Sequence, residues 1–423
     1  MEPQIILHVI IAIAVLSYVF DQVLDYVNLK SLRTDIPEDI AGFYDRSRYM
    51  RSLDYHKELT RFSFISSGFS FVVSLAMLLS GGFGWLDDTL RQSIDNQVVL
   101  ALVFFGIMMF ASEMVSLPFQ LYSTFVIEEK YGFNKTTGRT FLMDKLKAYF
   151  LAALIGAPLL GLLIYLVREI GPGFWIWFAL IATLVIIIMN MFYTTLILPI
   201  FNKLTPLPDG ELKTAIQRFA RRVDFPLDNI FVIDGSKRSS KANAFFSGIG
   251  RKKKIVLYDT LIQKHSTDEL VAVLAHEVGH FKKKHILVGL ALSIVQVFLT
   301  MFILSLMVYN ENLSLALGGS QQSIHLNLIA FSILFAPISG VTGLFMGMYS
   351  RRNEFEADAY ARETYSGPAL AHALKKLSVD SLSNLYPHPL YVFFHYSHPP
   401  LLKRLEAINV GKEPGSNQLT ANF

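Results

Sequence analysis

His276-Glu277-Val278-Gly279-His280 sets two histidines four residues apart with a glutamate beside the first. On a helix, positions i and i+4 share a face, so both imidazoles can reach one metal ion. Glu277 lies about a quarter turn round, where it can take a proton from an attacking water instead of binding the metal. That is the ligand-and-base arrangement of a zinc peptidase. The plainer reading is a polar stretch at the start of a membrane helix, with both rings solvated at the interface.

A tetrahedral catalytic zinc takes a third protein ligand and leaves its fourth position open. Asn353-Glu354-Phe355-Glu356-Ala357-Asp358 offers one. Glu354 and Asp358 are again i,i+4 on one helix face, while Glu356 points nearly the opposite way. One carboxylate can bind the metal while the other holds a ligand histidine by its second ring nitrogen. Both segments must lie on the same side of a membrane for this to work.

Composition says that there is a membrane. The chain has 423 residues, 52% of them hydrophobic and 17% charged, with a mean hydropathy of +0.41. Seven runs approach the span criterion of about 20 apolar residues: roughly 4–20, 62–79, 98–117, 149–167, 174–198, 286–308 and 326–348. The first carries no cationic leader or small-residue cleavage site and reads as a retained anchor. There are no cysteines, which excludes disulfides, a Cys-ligated zinc and a Cys nucleophile.

Basic residues orient the spans. Lys30, Arg33, Arg46, Arg48, Arg51, Lys57 and Arg61 follow span one; only Arg91 follows span two. Lys130, Lys135, Arg139, Lys145 and Lys147 follow span three, only Arg168 follows span four, and a basic segment ending in Lys282-Lys283-Lys284 follows span five. The loop after span six has no Lys or Arg; Arg351 and Arg352 follow span seven. The alternation places the N-terminus outside. It also puts the His276 and Glu354 segments together on the cytoplasmic side.

Four regions result: 1–200 with spans one to five, 201–284 as a cytoplasmic α+β segment, 285–349 with spans six and seven, and a cytoplasmic 350–423 with a frayed tail. In the second, Leu212, Ile216, Phe219 and Val223 stand at helical spacing. Runs 230–233, 242–246 and 254–258 read as short strands. Ser266-Thr267-Asp268-Glu269 is a capping box that opens the histidine helix, which is expected to continue past Lys284 into span six. His285, five residues beyond His280, falls off the ligand face. Glu113 in span three is expected to face the interior or a watery cavity, and Asn190 likewise.

With these motifs the chain resembles the type 1 CAAX prenyl proteases, integral membrane zinc metalloendopeptidases. His276–His280 and Asn353–Asp358 match the family's zinc elements. Ile127-Glu128-Glu129-Lys130-Tyr131-Gly132-Phe133-Asn134 is similar to its hallmark after the third span, and His395-Tyr396-Ser397-His398-Pro399-Pro400, with Arg404 beyond, to its C-terminal motif. The resemblance implies a mainly α fold: a barrel of seven transmembrane helices enclosing a chamber, with a small cytoplasmic α+β protease domain. It implies one Zn2+ on His276, His280 and Glu354, Glu277 as general base, Asp358 orienting a ligand histidine, and His398 and Arg404 facing the substrate. Substrates would end in a prenylated Cys and three further residues, cut after the cysteine.

Asn243-Ala244-Phe245-Phe246 also resembles a family element beside the active site. An extended peptide could pair with such an edge strand, with Asn243 adding a side-chain bond; an ordinary sheet strand is the alternative. Expected partners are prenylated or other membrane-associated peptides and the lipid bilayer, with no nucleic acid. The absence of cysteine and of a C-terminal lysine retrieval signal favours a bacterial inner membrane over the endoplasmic reticulum. Two other functions fit parts of the pattern: a quality-control metalloprotease of the HtpX type, expected to have fewer spans, and a channel or transporter with a structural zinc.

Overall fold

A computed structural model describes residues 1–227, 229–247 and 254–410; the tail from 411 falls outside. Helices α1 (Pro3–Lys30), α2 (Arg46–Leu79), α3 (Gly82–Arg91) and α4 (Gln97–Tyr122) come first. A widened turn carries α4 on to Glu128. Then come α5 (Gly138–Leu151), α6 (Ala157–Ile170), α7 (Phe174–Phe192) and the short α8 (Leu198–Phe201). Five helical segments, among them 97–128 and 138–201, are long and apolar enough to cross a membrane, and a bent pair at 324–380 makes six. The 138–201 segment holds both expected spans four and five. It turns at Gly171, whose φ of +70° suits glycine, and α6 then packs against α7. Large apolar side chains such as Leu16, Ile65, Val295 and Phe345 stand exposed on these helices, as lipid-facing residues do.

The segment after α8 is α+β. Strands β1 (Leu204–Pro206), β2 (Asn229–Ile233), β3 (Ala244–Ser247) and β4 (Lys254–Tyr258) form one sheet in the order β1-β2-β4-β3. Three strands were expected; β1 is the extra one, too short and too proline-rich to show alternation. The run expected at 242–246 starts two residues later. β2 and β4 are parallel, and β3 is antiparallel to β4 at an edge that is free among the described residues. Helices α9 (Glu211–Arg222), α10 (Asp259–Lys264) and α11 (Thr267–Lys282) complete the unit. Ile216 and Phe219 of α9, Leu257 of β4 and Val271, Ala275 and Val278 of α11 share one buried core.

Helices α12 (His285–Met307), α13 (Glu311–Ala316), α14 (Ile324–Leu334), α15 (Ala336–Ala361), α16 (Gly367–Asp380), α17 (Pro389–His395) and α18 (Leu401–Val410) follow. Two expectations change here. The histidine helix does not run into span six: α11 stops at Lys282, and Lys284 is left-handed at φ +61°, which reverses the local winding. Span seven is not one rod either: α14 and α15 meet at a 52° bend beside Pro337, at the start of α15.

Candidate metal centre

α11 begins as the sequence reading requires. Ser266 Oγ accepts the Glu269 N–H at 3.3 Å and Glu269 Oε2 accepts the Ser266 N–H at 3.0 Å, a closed capping box. α11 then crosses α15 closely. At the crossing a Cβ on Gly279 would come 3.0 Å from Ala357 Cα, so the glycine of the motif lets the two ligand-bearing helices approach. His276 and Glu354 are buried and His280 is half-buried.

The ligand atoms of His276, His280 and Glu354 all lie within 4.8 Å of one another. Asp358 Oδ1 is 2.9 Å from His276 Nδ1. A carboxylate there takes the Nδ1 proton and leaves Nε2 with its lone pair. His280 has a longer relay. Its Nδ1 meets His285 Nδ1 at 3.0 Å, and His285 Nε2 meets Glu356 Oε2 at 3.2 Å. With Glu356 holding the His285 Nε2–H, neutral His285 accepts at Nδ1 from His280 and leaves His280 Nε2 as a lone pair. The two Nε2 atoms then face each other at 3.1 Å. Two lone pairs at that distance repel unless a cation lies between them. Glu354 faces them at 3.5 Å and 3.3 Å, and its buried Oε2 has no hydrogen-bond partner. The donor set of two imidazoles and a carboxylate fits a divalent ion of the zinc type.

Glu277 borders the same cavity of about 310 Å³ as the three ligands, with Asn243, Ala244, His398 and Arg404 also on its wall. Burial pushes the Glu277 carboxyl up from its ordinary value, against the opposing pull of the two histidines. His398 is mostly exposed, at 64% of its side chain, with Nε2 3.3 Å from Glu354 Oε1 and Nδ1 2.9 Å from Ser397 Oγ.

Arg404 stands on the cavity wall but is held from behind. Its fork is already filled: Nε and Nη2 donate to Asp358 at 2.8 and 2.7 Å. Nη1 lies 3.2 Å from Glu354 Oε2 without hydrogen-bond alignment. The guanidinium therefore holds the carboxylate that holds His276.

Asn243 and Ala244 are on the cavity wall where β3 begins. The Tyr258 N–H donates to the Asn243 carbonyl at 3.1 Å, so the next residue, Ala244, turns its backbone groups to the free edge. Asn243 Oδ1 accepts that Ala244 N–H at 2.8 Å. Glu113 pairs with Lys145 at 2.9 Å. Asn190 donates to its own helix at Ile186 O, at 2.9 Å, and joins no site. His285 and Glu356 are the site residues that spacing missed, because a continuous helix would have turned His285 away.

Residues 25–203 match the family described as CAAX prenyl protease N-terminal, five membrane helices, and residues 206–410 match peptidase family M48. A CAAX prenyl protease 1 homolog of Arabidopsis thaliana is 35% identical over 95% of this chain and 96% of its own. CAAX prenyl protease 1 of Saccharomyces cerevisiae is 34% identical over 97% and 96%. The chain belongs to the type 1 CAAX prenyl protease family. Its fold is shared with the crystal structure of S. mikatae Ste24p at a TM-score of 0.90 and 33% identity, covering 97% of this chain and 99% of that one. As a member of this family the chain is a multi-pass membrane metalloendopeptidase, which sets the channel reading aside.

Proposed function

We propose that this chain is a zinc endopeptidase that cuts the peptide bond after the prenylated cysteine of C-terminal CAAX sequences. The observation that carries the metal chemistry is the convergence of two imidazole lone pairs and a buried Glu354 oxygen that makes no hydrogen bond, at the wall of a cavity. His276, His280 and Glu354 would hold the zinc ion, which when bound would supply Lewis acidity to the scissile carbonyl and to the attacking water. Glu277, on the wall of the same cavity, takes the water's proton and delivers it to the leaving amine. His398, exposed at the cavity, donates an N–H to the developing oxyanion. Asp358, backed by Arg404, keeps His276 in the tautomer that ligates.

The substrate backbone adds to the free edge of β3. It pairs at Ala244, whose N–H Asn243 releases as the peptide arrives. The names of the relatives supply the prenyl group. Counting 138–201 as two spans and the bent pair as one gives seven spans, which supports a ring of helices around a chamber. Regions 1–200 and 285–349 form that ring, and the described residues of 201–284 and 350–410 form the catalytic face. The positive-inside pattern turns that face to the cytoplasm, whether the membrane is a bacterial inner membrane or the endoplasmic reticulum.

The test is a digest of a farnesylated CAAX peptide and its unmodified twin, with and without chelator, read by mass spectrometry. Cleavage of the farnesylated peptide after cysteine, lost with chelator and restored by zinc, is expected. Equal cleavage of both peptides would move the chain toward a quality-control protease. Activity that survives chelation overturns the metal assignment.

A further inference from the structure

The motif Ile127–Asn134 touches none of the metal-binding residues, yet it reaches the strand that borders them. Gly132 turns at φ +79°, and the chain after it runs beside residues 238–240. Asn134 bridges Ser239 in antiparallel fashion. The Lys135 N–H donates to Arg238 O at 3.0 Å, and the Ser240 N–H to Phe133 O at 3.1 Å. Ser240 Oγ donates to Gly132 O at 2.9 Å. The motif thus acts as a second, very short ladder, laid against the chain just before β3.

Lys241 fastens the last link. Its Nζ donates to Glu128 Oε2 at 3.2 Å and to Tyr55 OH at 3.1 Å, and Tyr55 donates to Glu128 Oε1. The same ammonium sits 4.3 Å from the centre of the Phe133 ring, a cation–π contact. Tyr55 belongs to α2 and Glu128 to the end of the α4 segment, so both are anchored in the membrane helices. Two residues after Lys241 comes Asn243, and then Ala244, whose backbone faces the free edge.

We propose that Glu128, Lys241 and Tyr55 form a clamp that fixes the start of β3 against the membrane helices and so holds the edge at Ala244 ready to bind the peptide backbone. These are positioning residues: none lines the metal cavity. The proposal rests on the reading that the β3 edge receives the substrate. An edge that is held in place before the peptide arrives spares the cost of ordering it on binding, so loosening it weakens binding of substrate and transition state alike.

The test is steady-state kinetics of the full-length enzyme on a farnesylated peptide, with zinc content measured on each variant. K241M and E128Q are expected to raise KM roughly tenfold, with kcat and zinc content within about twofold of the parent. K241R, which keeps the charge, is expected to restore most of the loss. E128Q is close to isosteric and carries the test if K241M does not fold. A244P, which removes the edge N–H, tests the underlying strand reading. If A244P raises KM while E128Q and K241M leave it unchanged, the clamp is wrong and the strand reading stands. If A244P leaves KM unchanged, the strand reading fails and takes the clamp with it. A loss in K241M that tracks lost zinc, with no rescue in K241R, makes Lys241 merely structural and overturns the proposal.

Discussion

Two buried histidine–carboxylate clusters lie at opposite ends of α12, a helix of 23 residues and so about 35 Å long. One is the metal centre. The other joins Asp87 and Arg91 of α3 to Ser323 and His325 beside α14. There, Asp87 Oδ1 accepts from His325 Nε2 at 2.7 Å, and Oδ2 accepts from Ser323 Oγ at 2.6 Å and Arg91 Nε at 3.0 Å. Arg91 goes on to Gln97 Oε1 at 3.0 Å, and the His325 ring lies 4.6 Å from that of Phe104. Both Asp87 oxygens have donors, and the pair tethers two helical segments. At the metal centre the same residue types leave two lone pairs and a carboxylate oxygen without a hydrogen bond, on ligand atoms that lie within 4.8 Å of one another. Chemistry resides where bonding capacity is left over; where it is used up, the cluster is a tether.

The comparison breaks most visibly at Glu277. E277Q should lower kcat by about 10²–10⁴-fold while zinc content stays at the parent level. Loss of zinc together with activity would place Glu277 among the ligands. At the other end, D87A should destabilise by on the order of 3 kcal/mol, since it strands a buried cation, read as a lower melting temperature in detergent. The fraction of enzyme that stays folded should keep its zinc and its kcat. A change in zinc affinity would show that the outer cluster is coupled to the metal.

Smaller effects separate the two relays. D358N and H285A should each weaken zinc about 10–100-fold, measured by competition with a chelator, although neither removes a ligand atom. H285A with unchanged affinity would reduce the His285–Glu356 pair to a packing contact. G279A forces α11 and α15 apart at a 3.0 Å contact, with an expected cost of about 1–3 kcal/mol and weaker zinc.

The smallest effect is a pH dependence at the start of α11. Burial holds the His265 imidazole below its ordinary 6.5. Burial raises Glu269, but contacts with Lys376 and His372 outweigh it and hold the carboxyl below its ordinary 4.5. A histidine lowered on folding binds fewer protons folded than unfolded, so stability falls as pH drops below about 6.5. A carboxylate lowered on folding gives stability above its unfolded value, lost as pH falls through the folded one. Both therefore act in the same direction. The melting temperature should decline on going from about pH 8 to about pH 5, and less steeply in H265N.

Helical spacing paired His276 with His280 and Glu354 with Asp358, because α11 and α15 are regular where they carry these residues, and the charge alternation put the two pairs on one side of the membrane. It failed wherever the backbone leaves regularity. Lys284 becomes left-handed without a glycine to announce it, and that break swings His285 onto His280 and lets Glu356 reach it. Arg404 was found by motif, but its direction depends on how α18 packs against α15, a tertiary fact with no local signature. The tightness of the α11–α15 crossing likewise shows only in space, though Gly279 stood inside the motif throughout.

The most direct measurement is zinc per chain in the purified parent, E277Q and E354A enzymes. The geometry predicts one zinc in the parent and in E277Q, with E277Q inactive, and little or none in E354A. One tightly held zinc in E354A, or none in the parent after zinc loading, would contradict a centre built from His276, His280 and Glu354.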